Sequence, residues 1–185
     1  RDADKALEYA MAGLAVYSEE EAIYYVHLKN VGEIYGIQGE FDKAIEALTP
    51  ILYSEYAHAI SKSSAANSLG NMYISLGMWQ EAIDVFNIQV ALYTGIAKDS
   101  TVMIDKIESQ YSLLSAYINI ARSYTELGNF DAAFNTYDLA IELCDMLYKY
   151  NPDKYRTNLY IIYLNKGYLY NALGDNVKAL EYTEK

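Results

Sequence analysis

The residues able to carry acid–base or nucleophilic chemistry are few and do not combine into a site. The acidic side chains Glu19–Glu21, Asp42 and Glu46 lie near predicted helix starts, where carboxylates usually offset the positive end of the helix dipole. Neither His27 nor His58 has a cysteine or serine at a spacing that would make a nucleophile–base pair. The glycines end predicted helices and do not follow strands, so no phosphate-binding loop is indicated. We therefore predict no catalytic site, no cofactor and no metal site, and a protein that is not an enzyme.

Charge and composition narrow the classes of partner. The 185 residues carry a net charge of −11, with two histidines and one cysteine. Phosphate binding needs clustered lysine and arginine, so nucleic acid is not expected to bind this domain and anionic membranes are a poor fit. Insertion into a membrane is not expected either, for want of an apolar run. No stretch reaches the ~18 apolar residues of a membrane span, and no signal peptide is visible. The sequence does not assign a cellular compartment. The cytoplasm is slightly favoured, and the periplasm is an alternative because the chain does not begin with Met. Cys144 lies on an apolar stripe and is predicted to be a buried, inert thiol.

A pattern that occurs four times along the chain determines which elements carry these residues. Each copy has a small residue, then Tyr three, Gly seven and Ala twelve residues later. The four sets are Gly32/Tyr35/Gly39/Ala44, Gly70/Tyr73/Gly77/Ala82, Ala121/Tyr124/Gly128/Ala133 and Gly167/Tyr170/Gly174/Ala179. Nine residues after the small residue come Phe41, Trp79, Phe130 and, breaking the rule, Asn176. Such self-similarity indicates a repeat architecture.

Each copy is interpreted as a helix, a glycine turn and a second helix, named here the A helix and the B helix. The small residue and the Tyr lie one turn apart on the A helix and share a face. The Gly ends the A helix where a left-handed residue is favoured. Asn129 and Asp175 are good N-caps for the B helices, whereas Glu40 and Met78 are poorer ones. The aromatic residue and the Ala then pack back on the A helix, giving an antiparallel helical hairpin.

This pattern resembles the tetratricopeptide repeat in its residue types and internal spacing. The resemblance implies an all-α fold, a right-handed α-solenoid of antiparallel helix pairs with about nine helices. The units are longer than the family's usual ~34 residues, since 38, 51 and 46 residues separate successive small residues. We expect one superhelical domain over 1–185. Its units are about 1–17 (a half repeat), 19–54, 56–97, 100–150 and 153–185 (truncated).

Local signals fix the expected helix ends. Ser18 is predicted to cap the first full A helix, and Pro50 to kink or stop its B helix near Ala47–Thr49. Ser100 is predicted to cap a helix of about seven turns whose apolar stripe begins at Met103. Neither end carries the polar capping helix that solenoids usually need. We therefore expect a fragment of a longer protein, with self-association through the uncapped ends as a possible consequence.

The resemblance implies that the A helices line a concave surface that binds a protein or peptide segment. The candidate residues are Lys29, Asn30, Glu33, Asn67, Asn71, Asn119, Arg122, Asn165, Tyr168 and Asn171. Asparagine recurs in every unit, and a carboxamide can donate to and accept from a peptide backbone at once. This favours recognition of an extended peptide. The plainer interpretation is that these are ordinary polar positions on a hydrated helix face.

One subtype of the family grips a C-terminal carboxylate with Lys and Asn from successive A helices. Lys29 and Asn119 match positions of that clamp, but Glu33 stands where an Asn is expected and would repel the ligand. A carboxylate clamp is therefore not predicted. The leading hypothesis is a non-catalytic scaffold for protein or peptide binding. The alternatives are a peptide- or partner-sensing input domain of a larger bacterial signalling regulator, such as a kinase or transcription factor, and a structural spacer. The flanking sequence would separate them.

Overall fold

The fold consists of helices throughout the part of the chain that the structure describes. This computed structural model describes residues 2–99 and 103–184, with side chains for 2–96 and 106–184. Within those ranges there are nine helices and no strand. They are α1 (Asp2–Val16), α2 (Ala22–Ile37), α3 (Phe41–Tyr53), α4 (Ala59–Ser75), α5 (Trp79–Asp99), α6 (Met103–Glu126), α7 (Phe130–Tyr150), α8 (Pro152–Ala172) and α9 (Asn176–Thr183). The all-α prediction is confirmed.

The chain forms two compact units, Arg1–Leu92 and Tyr93–Lys185. The first unit contains α1 to α4 and α5 as far as Leu92, and the second contains α6 to α9. Fully buried members of the first core include Ala44, Leu48, Ile51, Ala65 and Leu69. Fully buried members of the second include Leu114, Ala133, Ala140, Cys144 and Ile162. A single superhelical domain, its handedness and its repeat boundaries stay predictions.

The repeated glycines end the A helices in a left-handed conformation, as predicted. Gly39, Gly77, Gly128 and Gly174 have φ of 80°, 72°, 72° and 78°. After each glycine the next amide donates back to the carbonyl of the repeat tyrosine, which closes a Schellman turn. These bonds are Glu40 to Tyr35 at 2.9 Å, Met78 to Tyr73 at 2.8 Å, Asn129 to Tyr124 at 2.9 Å and Asp175 to Tyr170 at 2.9 Å. The backbone of the repeat tyrosine is thus part of the turn.

In the three repeats whose small residue is glycine, that glycine faces the residue sixteen positions later on the B helix. A Cβ added at Gly32 would lie 2.5 Å from Leu48 Cγ, and one at Gly167 would lie 2.8 Å from Thr183 Cγ2. At Gly70 the opposing atoms belong to the Phe86 ring. Since normal carbon contacts are about 3.5–4.0 Å, no side chain fits there without displacing its neighbour. In these three repeats the A helix therefore packs closely against its B helix.

Two N-caps follow the prediction and two helix ends differ from it. The side chains of Asn129 and Asp175 accept from the backbone amides three residues later, whereas Glu40 makes no side-chain cap bond. Ser18 does not cap a helix: α2 begins only at Ala22. The amide and hydroxyl of Ser18 instead donate to the Glu21 carboxylate, at 2.9 and 3.2 Å. That side chain is therefore occupied in the turn before the helix.

Pro50 does not stop its helix. The helix α3 continues to Tyr53, and the Pro50 carbonyl accepts from the Ser54 amide at 3.1 Å. Proline removes one backbone donor and leaves the carbonyl four residues earlier without a partner. Pro50 and Glu46 both lie on the exposed side of α3, where solvent can bond that carbonyl. The predicted early stop near Ala47–Thr49 was therefore wrong, and the kink given as the other outcome stays a prediction.

The long helix predicted in the second unit is present as α6, with Ile107, Leu114 and Ala121 buried along its stripe. The predicted cap Ser100 and the side chain of Met103 lie outside the described residues.

Candidate binding surface

The predicted residues of the first unit lie on one surface formed by α2 and α4. This surface, named here the A-helix face, consists of Lys29, Asn30 and Glu33 on α2 with Asn67 and Asn71 on α4. The first four of these side chains are half-buried and Asn71 is exposed. The helices α2 and α4 also contact each other directly. The structure therefore brings together five of the ten candidates.

Glu33 is already engaged within the protein. Its Oε2 lies 3.0 Å from Lys29 Nζ, and its Oε1 accepts from the Ser64 hydroxyl at 3.2 Å and from the Ser68 hydroxyl at 3.4 Å. The three donors come from both A helices, so the carboxylate ties α2 to α4. Because Lys29 offsets its charge, Glu33 is a weaker repelling group than the sequence suggested.

Two adjoining depressions flank α2 on the A-helix face. The depression on the α1 side has a volume of about 420 Å³ and is lined in part by Tyr9 and Asn30. The depression on the α4 side has a volume of about 400 Å³ and is lined in part by Asn67, Asn71, Ser68 and Met72. They share Glu33 and Ile37, and the Ile37 side chain is 82% exposed.

The amides along these depressions are available for a ligand. Among the described residues, none forms a hydrogen bond with the side chains of Asn30, Asn67 or Asn71. Each carboxamide can offer two donors and one acceptor oxygen. An unpaired, half-buried amide is usually bonded to water or to a ligand. The face is therefore suited to a polar chain that supplies both donors and acceptors.

In the second unit the predicted residues lie on α6 and α8. Asn119 and Asn165 are half-buried, whereas Arg122, Tyr168 and Asn171 are exposed. The helices α6 and α8 contact each other. Ser123, one turn after Asn119, uses its hydroxyl to bond the Asn119 carbonyl at 2.9 Å, so that backbone oxygen is occupied.

A buried lysine beside these residues was missed by the sequence reasoning. Lys166 is only 5% exposed, pairs with Asp138, and lies 5.8 Å from the Phe134 ring centroid and 5.3 Å from that of Tyr182. The residue just before the small residue is apolar and buried in the other three repeats, as Val31, Leu69 and Ile120. Alignment of the repeats would have revealed Lys166 as the exception at this position.

The side chains with catalytic potential lie in separate places. His27 stacks on Tyr17 with ring centroids 5.6 Å apart, and His58 is the exposed N-cap residue of α4. Cys144 is fully buried, which confirms the prediction, and burial followed by the nearby Asp145 raises its pKa to about 11. Among the described side chains, no group of three His, Cys, Asp or Glu could hold a metal ion. None of the described helices is long and apolar enough to cross a bilayer.

Comparison with solved structures supports the fold. MamA aligns over 99% of this chain and 85% of its own, with a TM-score of 0.64 and 21% identity. A putative kinesin light chain from Podospora anserina with nearly identical TPR-like repeats aligns over 98% and 84%, with a TM-score of 0.65 and 18% identity. BtubC from P. vanneervenii aligns over 99% and 86%, with a TM-score of 0.53 and 15% identity. At these identities the likeness concerns the fold alone.

The sequence comparisons identify the repeat. Two models of the tetratricopeptide repeat match residues 65–97 and 114–145. No curated protein sequence matches the chain. The two matched segments contain the second and third copies of the repeated pattern. Tetratricopeptide repeats are thus present at these two segments, and with the all-α helical-repeat fold they support the tetratricopeptide-repeat family, whose members are typically non-catalytic scaffolds for protein interaction.

Proposed function

We propose that the chain is a non-catalytic scaffold that binds an extended peptide segment along the A-helix face of its first unit. The observation that carries this proposal is the pair of adjoining depressions on either side of α2. Their amides Asn30, Asn67 and Asn71 make no side-chain hydrogen bond to any described residue. An extended chain presents alternating carbonyl and amide groups, which such carboxamides can pair with regardless of the peptide's side chains.

The apolar part of the face supplies the rest of the binding energy. Ile37 lies at the junction of the two depressions with 82% of its side chain exposed, and Met72 lines the depression on the α4 side. Burial of apolar surface contributes about 25 cal/mol for each Å² removed from water. A peptide side chain placed against Ile37 would gain this term while the amides hold the backbone. Glu33 stays in its bonds to Lys29 and the serines and keeps α2 and α4 in position.

The test is selection of binding peptides followed by measurement of their affinity. A library of random ten-residue peptides displayed on phage would be selected on the wild-type chain, and the selected peptides labelled for fluorescence anisotropy. The double variant Asn67→Ala/Asn71→Ala should bind them at least tenfold more weakly. The matched control is Gln80→Ala, which removes an exposed amide on α5 that is bonded to Asp84 at 3.0 Å.

The asparagine variant should lose affinity for the peptide and still keep its fold. Far-UV circular dichroism should show that the asparagine variant keeps its fold, because exposed or half-exposed polar positions contribute little to stability. Equal affinities for wild type and the asparagine variant would refute binding at this face. The pair Asn119→Ala/Asn165→Ala tests the second unit by itself: a loss of affinity means that α6 and α8 also bind peptide, and no loss confines the site to the first unit.

A further inference from the structure

A second surface of the first unit has a different chemistry from the A-helix face. A depression of about 540 Å³ has Tyr24 and Leu28 of α2 in its floor, Met11 and Leu14 of α1 on one wall and Pro50 of α3 on the other. A neighbouring depression of about 590 Å³ is lined by glutamates and tyrosines that include Glu55 and Tyr53. The two depressions share Glu19, Tyr25 and Pro50. Together they are named here the tyrosine–glutamate groove.

This groove uses another side of α2. At 3.6 residues per turn, Tyr24, Leu28 and Tyr35 form one stripe along the helix, whereas Asn30, Glu33 and Ile37 form another. The walls of the groove come from α1 and α3, which are both B helices in the repeat pattern. The groove and the A-helix face are therefore separate surfaces, and a ligand on one leaves the other open.

The groove exposes large apolar and aromatic side chains. Tyr53 is 74% exposed, Met11 48% and Tyr56 43%. Tyr24 and Leu28 are half-buried in the floor. Contiguous exposed apolar surface edged by polar groups is typical of interaction sites. Tyrosine and methionine are also enriched at protein interfaces, where a ring or a flexible thioether adapts to a partner.

The charge around the groove is strongly negative. Glu19, Glu20, Glu46 and Glu55 line it, against the single lysine Lys43. The Lys43 ammonium is committed to Glu40 at 3.3 Å and lies 5.5 Å from the Tyr35 ring centroid. In the described part of the chain, no lysine or arginine pairs with any of the four lining glutamates. Burial, then the Glu19 carboxylate, then Tyr25, raise the pKa of Tyr24 above its ordinary value.

We infer that the tyrosine–glutamate groove binds a segment of a partner protein in which an apolar side chain lies next to arginine or lysine. The apolar side chain would occupy the depression between α1 and α3, against Met11 and Leu28. The cation would enter the neighbouring depression, near the carboxylates of Glu19 and Glu55. A guanidinium there can also stack on the exposed ring of Tyr53, an interaction that strengthens as water leaves.

Charge also argues against other occupants. A second copy of the chain carries the same net charge of −11, so its approach to this acidic groove is opposed by repulsion. Nucleic acid and anionic lipid surfaces are opposed for the same reason. A basic partner segment is the occupant that gains from both the apolar and the charged parts of the groove.

The probe is a labelled ten-residue peptide of alternating leucine and arginine, tested by fluorescence anisotropy at 0.15 M salt. Wild type should bind it, and Glu19→Gln/Glu55→Gln should bind it at least tenfold more weakly. The matched control is Glu126→Gln/Glu142→Gln, which removes two exposed carboxylates of the second unit and changes the net charge equally. Peptides in which glutamine replaces arginine, or serine replaces leucine, should each bind more weakly than the parent peptide.

Several results would overturn the inference. One is equal weakening by the groove pair and the control pair, which would show unspecific attraction to an acidic chain. Another is an unchanged affinity in the groove pair, or no binding to wild type. Loss of binding in Asn67→Ala/Asn71→Ala would place the peptide on the A-helix face instead. A dimer in sedimentation that Glu19→Gln/Glu55→Gln alters would make a second copy the occupant. None of the substituted side chains forms a hydrogen bond or an ion pair with another described residue, so all variants should remain helical.

Discussion

Adding one methyl group at Gly70 tests whether close approach of backbone to ring holds the two helices of a repeat together. In Gly70→Ala the new Cβ would lie 2.6 and 2.7 Å from the two ε carbons of Phe86. Ordinary carbon contacts are about 3.5–4.0 Å, so the ring must retreat by about 1 Å. Phe86 is fully buried. Overpacking of this kind costs about 1–3 kcal/mol.

Gly95→Ala is a reference variant that separates the cost of overpacking from the gain in helix propensity. Both Gly70 and Gly95 lie inside helices, and Ala is favoured over Gly there by about 1 kcal/mol. An added Cβ at Gly95 meets no atom of the described residues within 4 Å. Gly95→Ala should therefore raise the free energy of unfolding by about 0.5–1 kcal/mol. The difference between the two variants removes the propensity term and should equal the overpacking cost, about 1–3 kcal/mol.

Urea unfolding followed by far-UV circular dichroism measures both variants. Gly36→Ala belongs in the series because its Cβ would meet only the terminal methyl and sulfur of Met72, which are flexible. The expected order of stability is Gly95→Ala, then Gly36→Ala, then Gly70→Ala. If Gly70→Ala and Gly95→Ala differed by less than about 0.5 kcal/mol, the Phe86 ring would have room to move. Close packing against the B helix would then not explain why this position holds a small residue.

Three further predictions concern buried groups of the second unit. Lys166→Met should keep the free energy of unfolding within about 1 kcal/mol, since Met replaces the buried stem and the Asp138 side chain is 59% exposed and can be hydrated. Lys166→Ala should lower the free energy of unfolding, measured in urea, by about 1–3 kcal/mol, because the stem also packs against aromatic rings. Burial raises the pKa of Tyr137 to about 12 from an ordinary value of 10.0. The folded state then holds its proton where the unfolded state loses it, so stability present below pH 10 falls as the pH rises from 10 to 12. Tyr137→Phe should show a smaller fall in pH-dependent urea unfolding. The Cys144 thiol should resist a water-soluble thiol reagent at pH 8 and react fully in urea, because it is buried and its pKa is about 11.

Each of these has a contrary outcome. If Lys166→Met were as unstable as Lys166→Ala, the ion pair with Asp138, and not the packed stem, would hold α8 to α7. If the free energy of unfolding of Tyr137→Phe fell as steeply as that of wild type between pH 10 and 12, the loss of stability would come from other tyrosines. Rapid labelling of Cys144 in native buffer would mean that the helices around it open without unfolding.

The sequence predicts backbone features more successfully than side-chain partners. The left-handed glycines, the helix–turn–helix pairs and the buried Cys144 follow from short-range pattern, and the structure has them. The predictions for Ser18 and Pro50 failed for different reasons. Ser18 bonds the Glu21 carboxylate and does not cap α2, whereas Pro50 lies on the exposed side of α3, where the helix continues past it. The spacing places Lys29, Asn30 and Glu33 on one surface. The bonds from Ser64 and Ser68 to Glu33 depend on how two helices pack, which spacing does not give. Binding at that surface stays a prediction.

The repeat also predicts where a groove lies without predicting what it binds. The positions of Tyr24 and Leu28, counted from the small residue, are occupied in the last repeat by Leu159 and Tyr163. These two residues line a depression of about 530 Å³ in the second unit, so equivalent positions give a depression in both units.

The depression in the second unit and the tyrosine–glutamate groove carry opposite charge. Among the described side chains, the depression in the second unit is lined by Arg156 and by no carboxylate, whereas four glutamates surround the tyrosine–glutamate groove. The Arg156 guanidinium lies 3.7 Å from the exposed Asp153, a surface pair that holds it weakly. A basic segment that gains from Glu19 and Glu55 would be repelled by Arg156. The shared backbone pattern thus gives each unit a depression, and the residues that differ between repeats decide which partner fits it.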